Sequence, residues 1–385
     1  MISLRLNDRT DALRCDFQKW LTANPPPKLD GRVELARFVE VSRVWQRSLA
    51  AERWIAVHWP EQYGGRGLTL LDEAVLQECL TAAGSPQLIN LFGLTMVGPV
   101  LIKHGTDQQK TRFLQRILSA EDIWCQGFSE PDAGSDLAAV KTSAVAAPGG
   151  WEVSGQKVWT SFAQYASWCF LLTRSDTTVA KHKGLSYLLV PMKSAGIDVR
   201  PLTQISGDQE FNEVFFDKVP VAAENLVGKP GEGWKIAIST LMYERVVLTF
   251  SRHLQSEQLL NEIGAILKDR PCDRAEHLRF GQLIAESMAV RALALSHLIA
   301  YDAQTEPGPE GSLDKLSWSE SYQRIVKFAL ELLGPESVIT GGKAAVEHGR
   351  YQHQYLYSRG RTIAAGTSEV QRNIIAERIL GLPKQ

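Results

Sequence analysis

Glu244 is a carboxylate whose setting in this sequence suits a base. It falls in a helical run with Leu241, Val247 and Leu248 at i−3, i+3 and i+4, so the carboxylate shares a face with apolar neighbours. Burial there disfavours the charged form and raises a carboxyl pKa, which suits a base acting on a weakly acidic carbon. A surface pair of Glu244 with Arg245 is a weak alternative, because i and i+1 side chains do not face each other on a helix. The second stretch with chemical content runs from Trp124 to Asp136 and gathers Gly127, Ser129, Glu130, Pro131, Asp132, Gly134, Ser135 and Asp136. Gly, Pro, Ser and Asp favour turns and local side-chain-to-backbone bonds, so the stretch is predicted to be neither helix nor strand. Its free backbone N–H groups can approach a ligand closely. Composition alone does not separate such a cradle from a polar connection between domains.

Other chemistries have little support. The five cysteines are odd in number and scattered, no C-x-x-C pair occurs, and the eight histidines show no ligand spacing, so neither a disulfide framework nor a metal site is expected. A formal net charge of −1 gives no nucleic-acid footprint. The start, Met1-Ile2-Ser3-Leu4-Arg5, has no signal-peptide core, and no apolar run comes near the roughly 20 residues of a membrane span. A cytoplasmic enzyme is the expectation.

The 385 residues allow two or three domains around these side chains. Residues 1–122 read as helical: Asp11–Ala23, stopped by Pro25-Pro26-Pro27, then Val33–Glu52, Leu71–Ala83, Leu91–Lys103 and a helix opening at Asp107. Residues 123–230 switch to period two, with strands over 151–154, 168–173, 185–190, 197–201 and 212–216 separated by glycines, a pattern that predicts an antiparallel β domain. Residues 231–385 return to long helices over 233–267, 274–304, 312–333 and 367–380, with Ser368 and Gln371 as a helix-start signature. The class is α+β, with an N-terminal helical domain, a middle β domain and a C-terminal helical bundle.

Several motifs in this order resemble the acyl-CoA dehydrogenase family. They are Phe128-Ser129-Glu130-Pro131-x-Ala133-Gly134-Ser135-Asp136, Gly155-Gln156-Lys157-Val158-Trp159-Thr160-Ser161, Phe211-Asn212-Glu213-Val214-Phe215-Phe216, Gly231-x-Gly233-Trp234, Glu244-Arg245 and Gly366-Thr367-Ser368-Glu369. The resemblance spans nearly the whole chain. It implies the same three-part fold with a C-terminal four-helix bundle, FAD as cofactor, and oxidation of the Cα–Cβ bond of an acyl-CoA or acyl-carrier thioester. It implies an electron-transfer flavoprotein as acceptor, and a homotetramer or a heterotetramer with a homologous subunit.

Residue by residue, the resemblance places Gln126, Phe128 and Ser129 along the flavin ring and Trp159 with Ser161 on its other side, serines standing where the family usually has threonine. Ser135 falls at the pantetheine arm, Arg245 and Gly366 at the substrate, and Thr367, Ser368 and Glu369 near the adenosine or pyrophosphate of FAD. Many members carry the base one residue before Gly366; Ala365 occupies that position here and retains only the backbone N–H that polarises the thioester carbonyl. A minority, similar to isovaleryl-CoA dehydrogenase, carry it on the long helix, where this chain has Glu244.

Two segments depart from the family. Asp269-Arg270-Pro271-Cys272-Asp273-Arg274 replaces an Arg followed by a Phe-Gly-Gln-like run, leaving Arg270 as the FAD-binding candidate, and Glu331-Leu332-Leu333-Gly334-Pro335-Glu336 replaces a Gly-Gly-x-Gly turn. Such departures resemble bacterial members, some acting on bulky sterol- or bile-acid-derived CoA thioesters and some built from two unlike subunits. The competing expectations are a non-catalytic or half-site partner subunit and a flavin oxidase or monooxygenase on the same scaffold.

Overall fold

The computed structural model describes residues 7–29, 33–302 and 308–384, with the side chains of 245–250 and 302 outside the description. The helices are α1 (Asp8–Ala23), α2 (Leu35–Ala51), α3 (Leu70–Ala82), α4 (Gly98–His104, preceded by a π-turn over Gly93–Val97) and α5 (Asp107–Leu118). After the strands come α6 (Gly233–Lys268), α7 (Arg274–Asp302), α8 (Gly311–Leu333), α9 (Arg350–Arg361) and α10 (Ser368–Ile374). The strands are β1 (Trp124–Gly127), β2 (Ser143–Ala147), β3 (Gly150–Lys157), β4 (Trp168–Arg174), β5 (Leu185–Pro191), β6 (Ile197–Leu202), β7 (Phe211–Ala222) and β8 (Leu226–Val227). The chain forms two compact units: residues 34–68 with 87–243, and residues 1–33, 69–86 and 244–385.

The first unit holds α2, α4, α5 and the start of α6 with a sheet in the order β6-β7-β3-β2-β4-β5-β8, β1 being attached to β4. Most pairs are antiparallel as expected, but β4 runs parallel to β2, at Ser143 and Arg174, and to β1, with Trp124 opposite Trp168 and Gly127 opposite Leu171. This corrects the reading of 124–136 as loop throughout. Four buried or half-buried residues can become a strand when a long-range partner supplies the ladder. Cys125, Val153, Cys169, Leu171, Leu188, Val190, Val214 and Val219 form the core beneath the sheet. At the start of α6, a Cβ on Gly233 would lie 2.6 Å from the Ser186 backbone, so only glycine lets that helix end approach β5 so closely.

The second unit is all helical. Capping explains where its short helices begin: Asn7 accepts from the Thr10 N–H, so α1 starts three residues before the expected Asp11. α9 escaped the sequence reading because Arg350–Arg361 has no apolar period. Its arginines instead lie over aromatic rings, Arg359 over Tyr355 and Arg361 over Tyr357. α6, α7 and α8 share a core of Leu259, Ile263, Leu283, Val290, Trp318, Ile325 and Phe328. A buried ionic chain joins four helices: Arg291 on α7 pairs with Glu257 on α6 and Glu78 on α3, and Glu78 also takes Arg14 of α1.

By length and composition α7 suffices to cross a membrane, with a mean hydropathy of 1.5 over its best 18-residue window. This revises the expectation that no such stretch exists. In the helical unit, however, Leu283, Val290, Ala294, Leu298 and Tyr301 of α7 are buried against protein.

His297 and Asp314 tie α7 to α8 at 2.8 Å. The bond to Asp314 raises the His297 pKa against the opposing effect of burial, and burial raises that of Asp314. Both shifts are upward, so the folded state holds these protons more tightly and stability is lost as pH rises through each raised value. Thermal melts are therefore expected to show a larger deficit for H297Q at pH 6 than at pH 8.5; an equal deficit at both would contradict the linkage.

Candidate active site

In the sheet unit the expected flavin-side residues come from β1, the loop after it, and the end of β3. β1 is positioned by two buried amides, Asn90 and Gln46, that nothing in the sequence singles out. The Asn90 carboxamide accepts the Trp124 N–H at 2.9 Å and donates to the carbonyls of Ile117 and Asp122, while Gln46 accepts the Asn90 N–H and donates to Ile117 and Leu118. A polar residue at a helix end carries no sequence signal for this role; only the geometry reveals it.

Beyond β1, Phe128 packs edge-on to the rings of Phe170 and Tyr187, which leaves its backbone as the part able to meet a ligand. The Val158 N–H donates to the Ser129 carbonyl at 3.0 Å and the Lys157 ammonium to the Phe128 carbonyl at 3.0 Å, so the two motifs are held side by side. Trp159 adopts a φ of 60°, uncommon for a bulky residue, and meets Phe211 edge-on. Its indole stays 60% exposed. Among the described residues, the hydroxyls of Ser129 and Ser161 have no hydrogen-bond partner. An open indole face and two uncommitted hydroxyls fit an isoalloxazine ring. Gln126 is half-buried on β1, and Ser135 is exposed in the loop.

The three carboxylates of the 124–136 stretch are occupied. Glu130 pairs with the fully buried Lys157 at 2.8 Å and accepts the N–H groups of Lys141 and Thr142. Burial pushes its carboxyl up, but the ammonium and these bonds outweigh that and hold it below the ordinary value. Burial lowers Lys157 to about 8 against the pull of Glu130. Asp132 pairs with Lys141, and Asp136 with Lys181, at the surface.

In the helical unit Glu244 is buried on α6, 9% exposed, as its apolar neighbours led one to expect. The side chains of Arg245, Val247 and Leu248 lie outside the described residues. Ala365 and Gly366 form a turn with φ of 57° and 90°. Thr367, rather than Ser368, is the N-cap of α10, accepting the Val370 N–H at 3.2 Å. The Ser368 hydroxyl is buried without a partner, an orphan that a bound group would satisfy. Glu369 is exposed, and bonds from its own N–H and the Thr367 hydroxyl keep its carboxyl low. The Arg270 guanidinium is engaged within the chain, by Glu276 at 2.9 Å and by the Leu332 carbonyl.

Among the described residues no cluster of His, Cys, Asp or Glu could hold a metal ion. Residues 7–121, 125–219 and 231–380 match the acyl-CoA dehydrogenase N-terminal, middle and C-terminal domains. Acyl-CoA dehydrogenase IpdE1 of Mycobacterium tuberculosis is 39% identical over 90% of this chain and 89% of its own length. Among solved structures, the steroid ACAD Tcur3481-Tcur3483 superposes with a TM-score of 0.87 at 25% identity, covering 100% of both chains. The ChsE4-ChsE5 complex from Mycobacterium tuberculosis gives 0.86 at 26% identity, again over 100% of each chain. The chain therefore belongs to the acyl-CoA dehydrogenase family, FAD-dependent oxidoreductases that dehydrogenate acyl-CoA thioesters.

Proposed function

We propose that this enzyme dehydrogenates a bulky, ring-bearing acyl-CoA of steroid type, with Glu244 as the base. The observation that carries the assignment of the base is the burial of Glu244 on α6 together with alanine at position 365, where a side chain cannot take a proton. Glu130 and Glu369 do not compete, the first held in a buried ion pair and the second exposed with its carboxylate stabilised.

In this reading Glu244 takes the α-proton while the Ala365 N–H donates to the thioester carbonyl and offsets the charge developing there. Ser135 and Arg245 bind the CoA side of the substrate. Phe128 and Ser129 hold the pyrimidine edge of FAD, Gln126 lies alongside, and Trp159 with Ser161 covers the ring from the other side and excludes water. FAD, when bound, accepts the hydride that leaves Cβ. Thr367, Ser368 and Glu369 hold the adenosine or pyrophosphate end.

The steroid-type substrate is supported by the steroid ACAD to which the chain is similar and by the small Ala365 side chain, which leaves volume that a glutamate would fill. Assembly as a tetramer with a homologous chain is supported by the in-chain engagement of Arg270 and by the similarity to the ChsE4-ChsE5 complex. An electron-transfer flavoprotein as acceptor and a cytoplasmic location complete the reading, the latter in keeping with cysteines that are all free.

The test is anaerobic titration of the flavin-loaded protein, purified alone and with a co-expressed homologue, against straight-chain and steroid-derived acyl-CoAs. Bleaching of the flavin near stoichiometry by a steroid-derived thioester is expected. Bleaching only by straight-chain substrates would overturn the substrate class, and rapid peroxide formation in air would favour an oxidase.

A further inference from the structure

The turn at Ala365–Gly366 is held by two buried side chains to which the sequence assigns no role at the turn. Lys315, on α8 and only 3% exposed, donates from its ammonium to the Gly366 carbonyl at 2.6 Å. Gln371, on α10 and fully buried, donates to the Ala365 carbonyl at 2.9 Å and to the Gly366 carbonyl at 3.2 Å. The turn is closed so tightly on Gln371 that a Cβ on Gly366 would sit 2.5 Å from its Nε2. The backbone N–H groups of Ala365, Gly366 and Thr367 donate to no acceptor among the described residues, while the Ala365 and Gly366 carbonyls are committed to Lys315 and Gln371. Successive free N–H groups in a left-handed turn make a concavity suited to an oxyanion.

A neutral donor would suffice to hold a carbonyl in place, and Gln371 already does so. A buried ammonium is costly to desolvate, and its charge, which also acts on Glu369, adds a field that a neutral donor lacks. We propose that Lys315 is a positioning residue for proton abstraction: it fixes the turn that offers the Ala365 N–H to the thioester carbonyl, and its charge favours the negative charge that builds there as the α-proton leaves. This role rests on the dehydrogenase reading above, in which Glu244 is the base and Ala365 the donor.

The experiment compares wild type, K315M and K315R, with K315Q, which keeps a donor without the charge, carrying the comparison if K315M does not fold. Three quantities are read: flavin reduction by an active acyl-CoA, the melting temperature, and exchange of the α-hydrogen with deuterated solvent in an acyl-CoA that has no Cβ hydrogen to lose. The exchange, followed by NMR, reports proton abstraction without oxidation. K315M or K315Q is expected to lower both the exchange rate and kcat by about 10- to 100-fold, of the order seen on removing an oxyanion donor or less, with KM changed by less than about threefold. K315R is expected to recover the rate to within about fivefold. Exchange in K315M or K315Q within twofold of wild type overturns the role of Lys315 while leaving the dehydrogenase reading intact. Equal losses in K315R and K315M, in step with their melting temperatures, overturn it also, in favour of a purely structural lysine. A flavin-loaded wild type that neither bleaches nor exchanges with any acyl-CoA overturns both readings.

Discussion

Glu244→Gln is expected to lower acyl-CoA-dependent flavin reduction by about 10³-fold or more while FAD content stays at the wild-type level. A positioned base contributes of the order of 10²–10⁴ in rate, and the low-dielectric surroundings of a buried residue place Glu244 toward the upper part of that range. Glutamine keeps the volume and a hydrogen-bonding carbonyl, so the substitution removes the proton acceptor with little change in packing. Rapid-mixing spectrophotometry under anaerobic conditions measures the loss. Binding of a non-oxidisable acyl-CoA should be nearly unchanged, which separates lost chemistry from lost affinity. Reduction at the wild-type rate in E244Q would move the base elsewhere, and neither Glu130 nor Glu369 has the surroundings to take its place.

The second large effect belongs to Lys157. Its ammonium is fully buried, paired with Glu130 and bonded to the Phe128 carbonyl. Lys157→Met leaves the Glu130 carboxylate facing an apolar side chain, and breaking one side of a buried pair costs about 3–5 kcal/mol. Denaturant melts should show that loss, and FAD stoichiometry should fall because the Phe128–Ser129 backbone loses its anchor. The double variant K157M/E130Q is expected to regain part of the stability, since no uncompensated charge remains. pH provides a further check. With Lys157 lowered to about 8 from 10.5, the unfolded chain holds more protons than the folded one between those values. This group therefore makes stability rise with pH in that window, and K157M should remove its contribution. A K157M protein as stable as wild type would contradict the account of the pair.

Much of the architecture was legible in sequence because period and composition change where the architecture does. The strands over 168–174 and 185–191 and the helices over 233–268 and 311–333 announce themselves through long, regular patterns. What was not legible depends on distant partners. β1 looks like loop until β4 supplies its ladder, α9 has no apolar stripe, and α10 is capped by the Thr367 hydroxyl, one residue before the expected Ser368. The site was legible in the same uneven way. Glu244 was singled out by the resemblance of its Glu-Arg pair to the family's long helix, and its apolar neighbours pointed to the burial it shows. Asn90, Gln46 and Lys315 were not singled out, because a buried polar residue that bonds a backbone carbonyl resembles any surface polar residue in a string of letters, and Gln371 was marked only as part of a helix start. Glu130 illustrates the converse: in sequence it is one of three carboxylates in a promising loop, and in the fold it is the counter-ion of a lysine.

The placement of Glu244 within a 36-residue helix has a consequence for how such an enzyme can diversify. Where base and carbonyl donor share one residue of a turn, any change that reshapes the turn also moves the proton acceptor, and specificity and chemistry must vary together. In the reading proposed above they reside on different elements, α6 and the Ala365–Gly366 turn. α6 is fastened through Glu257 to Arg291 and onward to α3, whereas the turn is fastened separately through Lys315 and Gln371. On that reading, substitutions around residues 363–366 would open or narrow the space for an acyl group while the proposed base keeps its place. A lineage with this division can explore large and irregular substrates by altering a short loop, at little risk to the step that every one of those substrates requires.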